Sequence, residues 1–239
     1  MNFLTKKNLR KVTIILTLLI CFISLFIEGS RETFSLSNNQ EVPYITGTKS
    51  GSGYVALTCN VDLGWESEYI DKILEVTKEK DVKMSFNVTG KWAEKNKDLL
   101  LKIKDEGHEI GNHGYRHVDY EILSYEETLQ EISTSKKVIE DIIKVETKFF
   151  QAPSGSFGDE TVRAANELGY ISFKWNIDTI DWNNRKEPDV VFERVKKKDM
   201  PENSIILMHP TFASSECISD IIDLIRQNNF KAGSLKDIF

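Results

Sequence analysis

The sequence predicts a parallel α/β domain folded as a distorted (β/α) barrel of about seven strands, preceded by an N-terminal apolar helix. From residue 54 onward, short apolar runs alternate with amphipathic segments, a pattern typical of parallel strands joined by helices. Polar and titratable residues recur directly after the apolar runs. Because (β/α) barrels collect their catalytic groups at the ends of strands, a barrel explains this pattern better than an open sheet does.

Seven apolar runs are predicted as strands, and six amphipathic segments are predicted as helices. The strands cover residues 54–60, 82–88, 108–112, 149–152, 170–177, 204–209 and 230–233. The helices cover residues 66–80, 92–106, 124–144, 159–168, 189–197 and 216–227. The helix at residues 124–144 has a distinct start, because Ser124 and Glu127 have the spacing of a capping box.

Composition limits the classes of function. The chain has 239 residues, of which 40% are hydrophobic and 28% charged, as expected for a globular protein with one domain of ordinary size. The net charge of −6 argues against a nucleic-acid partner, because no basic excess is present to neutralise phosphates. Three cysteines are too few for a disulfide framework, and the spacing leaves open whether Cys59 and Cys217 pair.

Residues 1–27 are predicted to be a signal anchor or a signal peptide. Four basic residues between positions 6 and 11 precede an apolar run at residues 12–27, which is the pattern of an export signal. No Ala-x-Ala-like cleavage site follows, which favours an uncleaved anchor, although the run is short for a membrane span. In both cases, the rest of the chain is expected outside the cytoplasm, secreted or tethered to the membrane.

Residues 28–53 are predicted to be a flexible extracytoplasmic linker, since they are polar and rich in Ser, Asn, Thr and Gly. A flexible chain of this length spans about 30 Å end to end. Residues 54–239 are predicted to form the functional domain.

Histidines mark the predicted rim of the barrel. Three of the four in the chain fall within residues 107–117, and the fourth, His209, follows another predicted strand. His113 and His117 are four residues apart, so one helical turn or a tight loop would aim both imidazoles the same way and offer a divalent metal two nitrogen ligands. An incidental pair on a surface turn is the alternative, but a random scatter would not sort all four histidines to strand ends.

Five stretches resemble the successive motifs of the polysaccharide deacetylases, carbohydrate esterase family 4. They are Ala56-Leu57-Thr58, Gly107-His108-Glu109-Ile110-Gly111-Asn112-His113, Ala152-Pro153-Ser154-Gly155, Asp178-Thr179-Ile180-Asp181-Trp182 and Leu207-Met208-His209-Pro210-Thr211. They resemble most the sporulation-associated, membrane-anchored branch of low-GC Gram-positive bacteria. The resemblance implies a distorted (β/α) barrel that removes N-acetyl groups from peptidoglycan, chitin oligosaccharides or related polymers.

The resemblance also implies a role for each matching residue. Asp62, His113 and His117 would hold a divalent metal. Zinc is the expected metal, with cobalt or nickel as alternatives. The metal would polarise the acetamide carbonyl and acidify the attacking water. His209 would protonate the leaving amine, oriented by Asp181. The residues expected to bind substrate are Trp182, Gln151, Pro153 and Leu207, with Trp182 as the wall of the acetyl pocket.

The chain departs from the family at two positions. The first family motif reads Thr-Phe-Asp-Asp-Gly, and here Asn60 stands at the position of the catalytic base, where an amide cannot accept a proton. Asp62 lies one residue after the expected metal ligand; a strict gapless alignment places Val61 there and leaves the metal on two histidines. Gln151 replaces the arginine that pairs with the base, so a charged pair is exchanged for a neutral one that can hydrogen-bond.

The predicted function is therefore a metal-dependent hydrolase of carbon–nitrogen bonds other than peptide bonds, an N-deacetylase of cell-wall polysaccharide with reduced activity. A positioned base contributes about 10²–10⁴ in rate. Glu66 and Glu68 are candidates for a substitute base, although nothing in their spacing requires it. The alternative is a catalytically silent, metal-retaining glycan-binding domain at the cell envelope.

Overall fold

In the computed structural model, which describes residues 42–239, eight parallel strands form one curled sheet packed against helices. The predicted N-terminal apolar helix, the signal segment and residues 28–41 of the predicted linker lie outside the described residues. No helix within residues 42–239 has the length and apolar character needed to cross a membrane.

The strands are β1 (Tyr54–Val61), β2 (Ser85–Val88), β3 (Glu109–Asn112), β4 (Phe149–Phe150), β5 (Ile171–Ser172), β6 (Ile177–Asp178), β7 (Ile205–Met208) and β8 (Lys231–Gly233). Their order in the sheet is β5-β4-β3-β2-β1-β7-β6, and β8 pairs with the beginning of β1. The sheet curls as a half-barrel with β5 and β6 at its two edges. The predicted distorted barrel of about seven parallel strands is confirmed.

The helices are α1 (Glu68–Glu79), α2 (Gly90–Lys95), α3 (Lys97–Asp105), α4 (Tyr125–Ile143), α5 (Asp159–Glu167), α6 (Pro188–Lys196), α7 (Phe212–Gln227) and α8 (Leu235–Ile238). Single 3₁₀ turns lie at Tyr120–Ile122 and Pro153–Gly155. The predicted capping box of α4 is confirmed: Ser124 Oγ accepts the Glu127 amide N–H, and the Glu127 carboxylate accepts the Ser124 amide N–H.

Strand β1 is the centre of the core. All of its residues after Tyr54 are buried, because its two faces contact neighbouring side chains on both sides of the sheet. Cys59 and Cys217 lie in this core as free thiols. Burial raises the pKa of the Cys59 thiol well above its usual value, so this side chain acts as a small apolar residue.

Two predicted elements are interrupted by asparagines. The helix predicted at residues 92–106 is two helices, because Asn96 leaves helical geometry (φ −123°, ψ 43°) and its side-chain amide donates to the Trp92 carbonyl. The strand predicted at residues 170–177 is also two, at opposite edges of the sheet. Before β6, the Asn176 side chain accepts the Ile205 amide N–H and replaces a backbone ladder bond.

A strap formed by residues 42–49 lies against the domain. The Tyr44 amide donates to the Ser172 carbonyl, and the Gly47 amide donates to the Asn203 carbonyl. The amides of Thr48 and Lys49 both donate to the Ile238 carbonyl. The strap thereby connects the region of β5 with that of β7, so part of the predicted linker contacts the domain.

Candidate active site

A pocket of about 450 Å³ opens at the carboxyl ends of the strands. Its lining comes from the last residues of β1, β6 and β7 and from the segments that follow β1, β3, β4, β5, β6 and β7. The predicted site residues that line it are Asn60, His113, His117, Trp182, Leu207 and His209. The other lining residues are Trp65, Ser154, Trp175, Asp178 and Arg185. The topology therefore gathers residues that are far apart in the chain, as the strand-end pattern predicts.

His209 and Asp181 form an oriented pair at the pocket. Asp181 is fully buried, and its Oδ1 lies 2.7 Å from His209 Nδ1. The other oxygen, Oδ2, accepts the His209 backbone N–H at 2.6 Å and the Ser214 hydroxyl at 2.5 Å. Because Nδ1 is engaged by the carboxylate, Nε2 is the ring nitrogen of His209 that remains for the pocket.

A tight turn at Ile180 sends the side chains of Asp181 and Trp182 in different directions. Ile180 has φ +53°, a left-handed conformation that a β-branched residue rarely adopts. The turn is held by Asp178 Oδ1, which accepts the Ile180 N–H at 2.7 Å. As a result, Asp181 points into the core while the Trp182 side chain is 49% exposed at the pocket mouth.

His113 is buried, and its protonation and tautomer are set by its surroundings. Its Nδ1 donates to the Gln151 backbone carbonyl at 2.7 Å, which leaves Nε2 as a free acceptor. Burial lowers the pKa of His113 to about 3, and the nearby His117 acts in the same direction. His113 is therefore a neutral imidazole at pH 7, the form that ligates metals.

His117 is brought beside His113 by a tight loop rather than by a helical turn. Gly114, at φ +76°, provides the turn. The loop is held by Glu131, whose carboxylate accepts the Arg116 backbone N–H at 2.9 Å and its Nε–H at 2.6 Å. The ring centres of the two histidines are 5.6 Å apart, so the loop brings the two imidazoles close together.

The predicted metal ligands are Asp62, His113 and His117. Their chemical types suit a zinc ion, but their donor atoms do not converge on one point. Two imidazoles and a carboxylate are common ligands of hydrolytic zinc, and the His113 tautomer leaves Nε2 available. Asp62 Oδ2 lies 3.6 Å from His117 Nε2, and Asp62 Oδ1 accepts the Gly64 N–H. Within residues 42–239, no three His, Cys, Asp or Glu side chains converge closely enough to form a ready metal site. The ligand set stays a prediction.

Asn60 and Gln151 do not hydrogen-bond to each other, contrary to the expectation that they form a neutral pair. Asn60 Oδ1 instead accepts from Asn87 Nδ2 at 2.9 Å, because Asn87 is its partner in register on β2. Gly111 makes this possible, since a Cβ there would lie 2.2 Å from Asn87 Oδ1. Gln151 is fully buried, and neither atom of its side-chain amide has a partner in the described part of the chain.

The pocket lining does not include Gln151, Pro153, Glu66 or Glu68. Pro153 is buried and Gln151 lies beneath the pocket, where its backbone carbonyl holds His113. Glu66 and Glu68, the candidates for a substitute base, are exposed and do not line the pocket. Neither glutamate is therefore placed to replace the base.

Sequence reasoning assigned no role to Trp65 or Arg185. The Trp65 ring packs against His209, with ring centres 4.6 Å apart, and the Arg185 guanidinium carbon lies 4.2 Å from the centre of the same indole. Trp65 lies shortly after β1, so its place near a strand end could have identified it. Arg185 has no such signal, because it lies well inside the loop between β6 and α6.

Known proteins resemble this chain over most of its length. A family model described as polysaccharide deacetylase matches residues 48–172. Uncharacterized protein YlxY of Bacillus subtilis (strain 168) is 33% identical over 178 residues, which are 74% of this chain and 55% of that protein. Peptidoglycan-N-acetylmuramic acid deacetylase PdaA of the same organism is 26% identical over 215 residues, 88% of this chain and 80% of that protein. The chain thus spans little more than half the length of YlxY.

Among solved structures, a CE4 family pseudoenzyme from Bacillus anthracis superposes with a TM-score of 0.77 at 35% identity. The match covers 82% of this chain and 68% of that chain. A mutant of the same pseudoenzyme, with restored enzymatic activity, superposes with a TM-score of 0.77 at 34% identity, covering 82% of this chain and 71% of that chain. Both an inactive protein and an active variant of it therefore share this fold.

Proposed function

Because the chain belongs to the polysaccharide deacetylase family, we propose that its domain removes N-acetyl groups from a cell-wall polysaccharide, at a rate reduced by the amide at position 60. The observation that supports this proposal most strongly is the Asp181–His209 pair. An imidazole whose tautomer is held by a buried carboxylate is suited to proton transfer. A domain that only binds glycan has little use for such a group.

In the proposed reaction, the N-acetyl group of a sugar enters the pocket between Trp182 and Leu207. His209 donates the proton on Nε2 to the nitrogen of the leaving amine, and Asp181 stabilises the imidazolium before that transfer. Trp65 packs against the His209 ring and limits its rotation. These residues supply the general acid side of an amide hydrolysis.

The general base side is incomplete. Asn60 can hydrogen-bond a water molecule but cannot remove its proton. Asp62, His113 and His117 would hold a divalent metal, which when bound supplies a Lewis acid for the acetamide carbonyl and the attacking water. We expect the rate to be lower by about 10²–10⁴ than with a carboxylate at position 60.

A second candidate function is a catalytically silent glycan-binding domain. Its support is Asn60, which already has a hydrogen-bond partner in Asn87, and the similarity of the chain to a pseudoenzyme of the same family. In this case the pocket and its aromatic walls recognise the N-acetylated sugar without hydrolysing it. The enzyme proposal remains first, because the orientation of His209 has no role in the silent domain.

Acetate release tests the two candidates. The full chain is loaded with zinc or cobalt and incubated with peptidoglycan or chitin oligosaccharides. Its variants are His209→Ala and the double variant Asn60→Asp/Gln151→Arg. The enzyme proposal expects slow acetate release that is lost in His209→Ala and with a chelator, and that rises in the double variant.

The other outcomes separate the candidates. If the natural chain releases no acetate and the double variant does, the glycan-binding function is supported. If neither the natural chain nor the double variant releases acetate from any glycan tested, the deacetylase proposal is contradicted. Glycan affinity that is indifferent to His209→Ala would also favour the binding function.

We also propose that the domain works outside the cytoplasm near the membrane, in a process such as sporulation or wall remodelling. The support is the basic and apolar composition of residues 1–27, together with relatives whose names place their action on peptidoglycan. Protease added to intact protoplasts should degrade the domain. Protection of the domain in intact protoplasts would contradict this placement, and unchanged wall chemistry in spores that lack the protein would contradict the sporulation role.

A further inference from the structure

Arg185 is an exposed side chain on the pocket wall, and two contacts orient its guanidinium group. Its guanidinium carbon is 4.2 Å from the centre of the Trp65 ring, and its Nε donates to the Trp182 backbone carbonyl at 3.3 Å. Trp65 in turn packs against His209. Because Nε and one face of the guanidinium are engaged, its terminal Nη groups are the donors that remain available beside the pocket.

No carboxylate neutralises Arg185 within residues 42–239. The arginines that do have such a partner are Arg116 (with Glu131), Arg163 (with Glu160) and Arg226 (with Asp223). Asp178 also lines the pocket, but its Oδ1 accepts the Ile180 N–H and it forms no ion pair with Arg185. The pocket therefore has an oriented cation without an anionic partner from the described residues.

We propose that Arg185 is a specificity residue that binds the carboxylate of an acidic N-acetylated sugar. A guanidinium presents a planar fork of donors that matches the two oxygens of a carboxylate. The lactyl ether of N-acetylmuramic acid has such a carboxylate when no peptide is attached, whereas N-acetylglucosamine has none. The inference rests on the proposed function, namely that the pocket receives a cell-wall glycan.

The alternative is that Arg185 only covers the Trp65 ring. A cation stacked on an indole is itself stabilising. That role would make Arg185 matter equally for acidic and neutral sugars. A selective effect on the acidic sugar is therefore the observation that separates the two.

Calorimetric titration of the full chain with two matched glycans provides the test. One is a tetrasaccharide of alternating N-acetylglucosamine and N-acetylmuramic acid with free lactyl carboxylates, and the other is the same compound as its methyl ester. The variants are Arg185→Met, which keeps apolar contact with Trp65, and Arg185→Lys. Lys186→Met is the control, because it removes the neighbouring charge from a side chain that does not line the pocket.

We expect the natural chain to bind the free acid about tenfold more tightly than the ester, the size of a charge-assisted hydrogen bond at a partly exposed site. Arg185→Met should bind the two equally, Arg185→Lys should retain part of the preference, and Lys186→Met should retain all of it. Added salt should reduce the preference of the natural chain.

Equal binding of acid and ester by the natural chain overturns this inference while leaving the proposed function intact. Retention of the full preference in Arg185→Met does the same. Failure to bind either glycan would remove the proposed function, and this inference with it. The ester comparison uses the natural chain alone, so it can overturn the inference even if Arg185→Met unfolds.

Discussion

Asn60 and Gln151 are the two positions at which the sequence is predicted to depart from the motifs of the family. Asn60 is buried beside Asn87, whose Nδ2 could donate equally well to a carboxylate. Gln151 offers no cation to that carboxylate, and its own amide has no partner among the described residues. The two positions should therefore be coupled in stability as well as in activity.

We predict that Asn60→Asp alone and Gln151→Arg alone are each destabilising, because each buries an uncompensated charge. The double variant should recover about 1–3 kcal/mol relative to the sum of the single effects. Urea unfolding of the four proteins measures this coupling. Asn60→Asp combined with Gln151→Met is the control and should keep its penalty. Strictly additive effects would show that the two side chains do not meet.

His108 is a second buried histidine, remote from the pocket lining. Its Nδ1 accepts the Met84 amide N–H at 3.2 Å. Burial lowers the pKa of His108 to about 4, and the charge of Lys83 adds to the effect. Folding therefore favours the neutral imidazole, whereas the unfolded chain protonates it near its ordinary pKa of about 6.5.

We predict that stability falls as pH decreases from 6.5 to 4, because the unfolded state binds the extra proton in this range. His108 contributes up to about 3 kcal/mol to this loss, at 1.36 kcal/mol for each pKa unit. His108→Asn, which retains an acceptor for the Met84 amide, should reduce the pH dependence of urea unfolding without abolishing it, because the lowered pKa of buried His113 acts in the same direction. Lys83→Met should retain most of it, since burial is the larger cause. An unchanged slope in His108→Asn would contradict this assignment.

The strap depends on a glycine that contacts the last helix. A Cβ at Gly47 would lie 2.4 Å from the Ile238 carbonyl oxygen and 2.6 Å from Ile238 Cβ. That carbonyl also accepts the amides of Thr48 and Lys49. Any side chain at position 47 therefore has to displace the strap from α8.

We predict that Gly47→Ala lowers the free energy of unfolding by about 1–3 kcal/mol, the usual cost of overpacking. Thr48→Ala is the matched control, because its side chain is exposed on the same strap. Urea unfolding compares the two variants. Equal stability of Gly47→Ala and Thr48→Ala would mean that the strap is not packed against α8 in solution.

The elements that the sequence predicts well are those whose signal is local. The capping box of α4 is a spacing of Ser124 and Glu127, and β1 is a continuous apolar run. The interruptions at Asn96 and Asn176 were missed because they depend on side-chain hydrogen bonds. Asn176 in particular bonds to Ile205 of a strand 29 residues away, which no local pattern indicates.

The predictions for the site also succeed where the sequence pattern is sufficient and fail where a contact depends on the folded chain. His113, His117 and His209 were predicted together because each lies close after a strand, and the topology of a parallel sheet brings strand ends to one rim. The contact of Trp65 with Arg185 joins loops that follow β1 and β6, and only the folded chain places them together. The partner of Asn60 was missed because register, rather than motif, pairs it with Asn87.

The pocket as a whole is assembled from the ends of six strands and the segments that follow them, so a ligand that bridges these segments should stabilise the entire fold. A metal that binds the folded chain and not the unfolded one adds about 2.7 kcal/mol at a concentration of 100 times its Kd. For a domain of this size, this gain corresponds to an increase of about 5–10 °C in Tm. Thermal unfolding with added zinc thus reports metal binding without any need for activity.

We predict that zinc raises the Tm of the natural chain. His117→Ala, which removes a half-exposed predicted ligand, should abolish the increase. Asp62→Asn decides between the two alignments of the first motif, since its Oδ1 can still accept the Gly64 N–H and keep the loop in place. A smaller increase in Asp62→Asn would identify Asp62 as the third ligand. An undiminished increase would leave the metal on His113 and His117, as the gapless alignment with Val61 implies. No increase in the natural chain would contradict the metal site itself, and with it the metal-dependent form of the proposed reaction.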